Sequence, residues 1–209
     1  MFPTYKTLVI IMLVALAPGC ISTVSLKSPL RQPPLIEKSL KPVVILYSAN
    51  LQNHKCIIDK GYIAESWTIA LGPPSMEMFN LIFEGIFDNP QVVGTNIDAL
   101  AFVEPKNLIE VSLLRFDGCE ARWPIVESKI EVAYEAILRN ANGGTIARWV
   151  GRGQAGPDEI SENYTATDPS IAVEARYLSD VTGIAMRKAA ADFVINFDKD
   201  AKIRDWLRK

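Results

Sequence analysis

The chain has 209 residues, and its 22 Lys and Arg against 24 Asp and Glu give a formal charge of −2. So even a balance argues against a nucleic-acid partner held by phosphate contacts. One histidine and three cysteines leave little material for a closed zinc site or for histidine acid–base chemistry.

The first element is apolar. Lys6 precedes a run that starts at Leu8 and ends in Ala17-Pro18-Gly19-Cys20. The run is too short for a membrane-spanning helix, which needs ~20 residues. A positive start, a short apolar core and a small-residue exit predict a signal peptide over residues 1–19. Ala17-Pro18-Gly19-Cys20 resembles a bacterial lipobox, with Gly19 and Cys20 in place and Ala17 and Pro18 departing from the usual pattern. The resemblance implies lipidation at Cys20 and a mature chain that starts there. The alternatives are ordinary cleavage with a free cysteine, or an uncleaved anchor. Ile21, where an Asp would favour the inner membrane, points to the outer membrane and its periplasmic face.

Export would place the other two cysteines, Cys56 and Cys119, in an oxidising compartment. They form a candidate disulfide, worth ~4 kcal/mol on the chain-entropy account. Two separate buried thiols are the alternative.

Residues 20–42 then read as a lipidated Cys and a Pro-rich tether. Pro29, Pro33, Pro34 and Pro42 oppose regular structure, and Lys27, Arg31, Lys38 and Lys41 face only Glu37. At ~3.1 Å per residue such a tether reaches ~50 Å. Residues 43–209 have the size of one domain.

Val43-Val44-Ile45-Leu46-Tyr47 predicts a buried strand. Residues 48–60 are polar and read as a loop. Ile63, Trp67, Ile69 and Leu71 alternate as a second strand, ended by Gly72-Pro73-Pro74. Ser75 is placed as the N-cap of a helix whose stripe is Met76, Phe79, Ile82, Phe83, Ile86 and Phe87. Ile109, Val111 and Leu113 mark a third strand, followed by the turn dipeptide Asp117-Gly118. Ile130, Val132, Tyr134, Ala136 and Leu138 mark a fourth, and Asn142-Gly143-Gly144 reverses the chain into a fifth from Ile146 to Gly151. Asp168-Pro169 opens a long helix to about Phe197, with small residues from Ala185 to Ala191 that allow a sheet to approach. A short helix carries Ile203, Trp206 and Leu207. The expected fold is α+β: an antiparallel meander sheet with two main helices packed on one face.

Gly151-Arg152-Gly153-Gln154-Ala155-Gly156 fits the dinucleotide-binding spelling G-x-G-x-x-G. A polar loop follows it instead of the helix that would hold a pyrophosphate, so a strand end is the simpler reading. His54, Cys56 and Asp59 do not complete a metal set. Asn163-Tyr164-Thr165 spells a glycosylation sequon, accidental in a bacterial lipoprotein. Trp67 and Trp149, with Phe79 and Phe83, are core residues or, alternatively, the lining of an apolar groove. No catalytic, cofactor-binding or metal residues are assigned.

Lipobox, Pro-rich segment, Trp67 with Pro73-Pro74 and the helix to Phe87, a meander with Glu110 and Arg115-Phe116, and an Ala-rich last helix together resemble the ABC-type transport auxiliary lipoproteins. Looser likenesses are to lipopolysaccharide-assembly and secretion-channel lipoproteins. The resemblance implies a non-enzymatic accessory or scaffold in an envelope transport or assembly complex, related to lipids. Its partners would be the membrane, through acyl chains, an envelope protein complex and lipid. A periplasmic binder of a small apolar ligand between sheet and helices is the alternative.

Overall fold

A computed structural model describes residues 21–59, 66–93, 107–120, 128–160 and 171–209. The expected signal peptide, Cys20, Ile63, the sequon and the Asp168-Pro169 helix opening lie outside the described residues. In chain order the elements are β1 (Ile21–Val24), β2 (Val43–Tyr47), α1 (Ala49–Gln52), β3 (Lys55–Asp59) and β4 (Ser66–Ala70). Then come α2 (Gly72–Ile86), β5 (Gln91–Val92), β6 (Asn107–Phe116), β7 (Ile130–Arg139), β8 (Thr145–Ala155), α3 (Ile171–Lys199) and α4 (Ala201–Arg208). Two 3₁₀ turns, Asp117–Glu120 and Pro157–Glu159, follow β6 and β8.

The chain is α+β, with strands in two sheets. The larger sheet has the order β5-β2-β6-β7-β8. Its β6-β7-β8 part is the expected antiparallel meander. The turn between β7 and β8 forms because Asn140 Oδ1 accepts from the backbone N–H of Asn142 at 3.0 Å and of Gly144 at 2.8 Å, while Gly143 takes φ +81°. The rest of the sheet departs from a pure meander, since β2 runs parallel to both β5 and β6. A strand flanked on both edges and covered on both faces has no polar side, and all five residues of β2 are buried.

Alternation sets the two faces of the meander. Ile109, Val111, Val132, Tyr134, Ala136, Leu138 and Trp149 are buried towards the helices. The opposite face carries ion pairs, Arg139 to Glu110 at 3.6 Å and Arg148 to Glu135 at 3.3 Å. Both main helices lie on the apolar face. Phe79 of α2 meets Tyr134 of β7 edge-on at 5.0 Å and Phe193 of α3 at 4.9 Å. Phe193 in turn meets Trp149 of β8 at 5.3 Å.

α2 starts four residues earlier than its periodicity suggested. Pro73 and Pro74 fit the first helical turn, where a missing N–H costs nothing, so they open the helix rather than end the strand. Ser75 is therefore not a cap. Its hydroxyl is buried and pairs with the Tyr134 hydroxyl at 2.8 Å. α4 does have a side-chain cap, since Asp200 accepts from Lys202 N–H at 2.8 Å and Ile203 N–H at 3.1 Å.

A second sheet, β1-β4-β3, was not foreseen. β3 lies within residues 48–60, read from sequence as a loop. It pairs antiparallel with β4 and turns Cys56 and Ile58 inwards. β1 pairs parallel with β4, Ile21 opposite Ser66 through Val24 opposite Ile69.

The Pro-rich segment is extended but docked, which corrects its reading as a solvated tether. Ser25 C=O accepts from Ser179 Oγ on α3 at 3.0 Å. Leu26, Leu30 and Ile36 pack on the core. Pro34 sits on the bare backbone of Gly85, where a Cβ would come within 2.6 Å of the proline ring. Ser39 N–H donates to Ile86 C=O at 2.8 Å, and Lys41 lies over the Trp206 ring at 5.6 Å. Prolines oppose helix and sheet, but their rings still bury apolar surface.

Candidate functional site

Three places in the fold carry groups that could do something. The first is the strand beside the proposed anchor. Cys20 lies outside the described residues, but Ile21, its neighbour, already belongs to β1. A cleft of about 590 Å³ opens where residues 25–31 cross α3, and Lys27, Arg31 and Arg187 line it with Asp180 and Glu159.

The second is a thiol pair. β3 carries Cys56, 6% exposed, and the 3₁₀ turn after β6 carries Cys119, half-buried. The two do not form a disulfide in this structure. β3 and that turn pack against each other. Interaction with the Cys119 thiol first, and burial second, push the Cys56 thiol far above its ordinary range. His54, two residues before Cys56, places Nε2 4.0 Å from Cys119 Sγ. Its ring meets Phe116 edge-on at 5.5 Å, and burial lowers its pKa below 6.5. The imidazole is thereby favoured as the neutral form, which can accept a proton. The strand pairing and turn that bring His54 and Cys119 together are long-range, and no local spacing announced them.

The third is the seam between β8 and α3, which accounts for the Gly-rich spelling. A Cβ on Gly151 would come within 2.4 Å of Ala189 O, and one on Gly153 within 2.0 Å of Ala185 O. The glycines face the helix backbone at Ala185 and Ala189 and let it lie directly on the strand. β8 continues through them to Ala155 rather than fraying at Gly151.

The outer edge of β8 is closed from the same helix. Lys188 Nζ donates to Gln154 C=O at 3.0 Å, Asp192 Oδ2 accepts from Arg152 N–H at 2.9 Å, and Asn196 Nδ2 donates to Val150 C=O at 2.8 Å. Spacing by four residues puts the three on one helix face, and alternation puts Val150, Arg152 and Gln154 on one strand edge. Polar groups on a helix at four-residue intervals were visible in the sequence, but nothing there identified a strand edge as their target.

The four residues considered for an apolar groove are core residues: Trp67 is 3% exposed, Phe79 0%, Phe83 1% and Trp149 4%. Phe79, Phe83 and Trp149 gather around Phe193, and Trp67 belongs to the smaller sheet. Among the described residues there is no group of three or more metal-ligating side chains that could hold an ion, and no helix long and apolar enough to cross a membrane.

No family model matches the chain, and no curated protein matches it. It is similar to protein XCC0632 from Xanthomonas campestris, of family DUF330, with TM-score 0.45 and 10% identity over 91% of this chain and 99% of that one. A hypothetical protein, CT253, from Chlamydia trachomatis gives TM-score 0.38 and 11% identity over 77% and 99%. Lipoprotein GNA1162 from Neisseria meningitidis gives TM-score 0.31 and 12% identity over 68% and 95%. All three TM-scores are below 0.5, and a functional reading rests on this chain's own residues.

Proposed function

We propose that this chain is a non-enzymatic lipoprotein, held by acyl chains on Cys20 at the periplasmic face of the outer membrane. There it would serve as an accessory or scaffold in a lipid-related transport or assembly complex. The observation that carries the reading is the sequence Ala17-Pro18-Gly19-Cys20 running directly into β1. Each buried methylene of an acyl chain contributes ~0.8 kcal/mol, and two or more chains give a lasting anchor. Because β1 is part of a sheet and residues 25–42 are docked, the domain would stand close to the bilayer rather than at the end of a ~50 Å reach.

The sheet edges bear on how a partner would be met. Strand addition needs free backbone groups along an edge. Lys188, Asp192 and Asn196 occupy that position along β8. β5 at the opposite end is exposed and two residues long. Protein–protein recognition by strand addition is therefore better suited to the β5 end. A small apolar ligand between sheet and helices would have to displace Phe79, Phe83 or Trp149 from close packing, which disfavours that alternative.

The test is the intact mass of protein extracted from membranes, wild type beside Cys20→Ala. A mature chain starting at Cys20 and carrying acyl additions, absent from the variant, supports the proposal. An unmodified chain free in the soluble fraction would overturn it. Crosslinking in intact cells then asks whether an envelope protein is captured at the β5 end.

A further inference from the structure

We propose that Cys56 and Cys119 are a dithiol oxidised by thiol–disulfide exchange, with His54 taking the proton from the attacking Cys119. The resulting disulfide would staple β3 to the turn that ends β6.

The geometry gives each residue a distinct part. Cys119 is the half-buried one of the pair, and His54 Nε2 lies 4.0 Å from its sulfur. Cys56 is buried on the inside of the smaller sheet, on the strand that packs against the turn carrying Cys119. An external oxidant therefore reaches Cys119 first, and Cys56 resolves. The oxidant belongs to the chemical class of disulfides, written R–S–S–R. His54 removes the Cys119 thiol proton, and the thiolate attacks one sulfur of R–S–S–R. The R–S–S–R bond breaks, and one RS⁻ leaves, taking the proton from His54. A mixed disulfide between Cys119 and the second R–S group remains. The Cys56 thiol then loses its proton, and its thiolate attacks the Cys119 sulfur. The second RS⁻ is expelled and carries that proton away. In sum, two thiols and one R–S–S–R become one Cys56–Cys119 disulfide and two RSH, with two electrons passed to the oxidant.

The staple has a mechanical meaning that rests on the proposed anchoring at Cys20. β1 hangs on β4, and β4 on β3. A covalent bond from β3 to the end of β6 would tie the anchored sheet to the larger one.

The experiment uses the full chain with Cys20→Ala, which leaves only the two thiols in question, in reduced form, with oxidised glutathione as the probe and thiols trapped by alkylation under denaturing conditions. The expected product is a single Cys56–Cys119 bridge in peptide mass mapping. Cys56→Ser should stop at a glutathione adduct on Cys119, while Cys119→Ser should form adduct at Cys56 at least about tenfold more slowly. His54→Ala should slow adduct formation at Cys119 by about tenfold or more, as expected for loss of a positioned base. Alkylation of both thiols after prolonged oxidation, or first adduct formation on Cys56, would overturn the assignment. An unchanged rate in His54→Ala would remove His54 from the mechanism. With Cys20 replaced, these readouts require neither export nor acylation, so absence of acylation at Cys20 in the wild type leaves them intact. Conversely, an acylated chain whose Cys56 and Cys119 resist oxidation overturns this inference alone.

Discussion

The β8–α3 seam and the smaller sheet are both places where a strand needs covering, and they are built differently. At the seam, contact is backbone to backbone. Gly151 and Gly153 remove side chains from the strand, Ala185 and Ala189 keep them short on the helix, and three polar side chains close the remaining edge. The smaller sheet instead gathers Ile21–Val24, Lys55–Asp59 and Ser66–Ala70 from separated parts of the chain. Its strand β1 is held by one parallel pairing and by the docked segment that follows. The difference teaches where rigidity resides. The seam tolerates no added atom, whereas the smaller sheet has fewer restraints and gains more from a crosslink.

Substitutions can break the comparison from either side. The largest effect is expected at Gly153→Val, whose Cβ would sit 2.0 Å from Ala185 O and 2.3 Å from Ala189 N. The loss should be about 3 kcal/mol or more, read from urea unfolding. Gly183→Ala on the same helix meets nothing within 4 Å and should be neutral or stabilising by up to ~1 kcal/mol. Equal effects at the two glycines would refute the seam.

Gly85→Val should act on the other region. It removes the seat of Pro34, costing ~1–3 kcal/mol, and should expose the Lys38–Ser39 bond to trypsin. Unchanged cleavage would mean that the segment is held elsewhere.

Asp192→Ala leaves Arg152 N–H without its 2.9 Å acceptor at an exposed edge. The stability cost should be only ~1 kcal/mol, and the main readout is self-association in sedimentation as β8 becomes available for pairing. A variant that stays as monodisperse as the wild type would show that Lys188 and Asn196 suffice.

The smallest effect concerns pH. Burial lowers the His54 pKa from 6.5, so on acidification the unfolded chain takes up this proton before the folded one. Stability from this source is present above 6.5 and declines as the pH falls towards the lowered folded value. Between about pH 7.5 and about pH 5, wild type should lose more stability than His54→Gln. Equal losses would assign the whole slope to carboxylates.

Much of the larger sheet was legible because its signals are local. Ile130 to Leu138 alternates, Asn142-Gly143-Gly144 supplies a turn, and the Phe79–Phe83–Phe87 spacing marks the buried side of α2. What was missed depends on partners remote in sequence. The parallel neighbours of β2 leave no mark on Val43–Tyr47 beyond its uniform burial. Lys55–Asp59 looks polar until β4 covers Cys56 and Ile58. Pro34 opposes helix and sheet, and only the bare face of Gly85 reveals why it can dock. The glycines of β8 were legible as a spelling but not as a seam, because Ala185 and Ala189 lie more than thirty residues further on. Of the candidate site, the Cys56 and Cys119 pair was read from composition and compartment. The approach of His54 to Cys119 depends on tertiary structure.

The measurement closest to the central claim, that the anchor joins a folded strand, is hydrogen–deuterium exchange on the full-length protein in membranes. Peptides covering residues 21–24 and 36–42 should be protected well beyond a free chain, because β1 pairs with β4 and Ser39 N–H is bonded to Ile86 C=O. Exchange of both segments at the rate of an unstructured peptide would contradict the account and restore a free tether between membrane and domain.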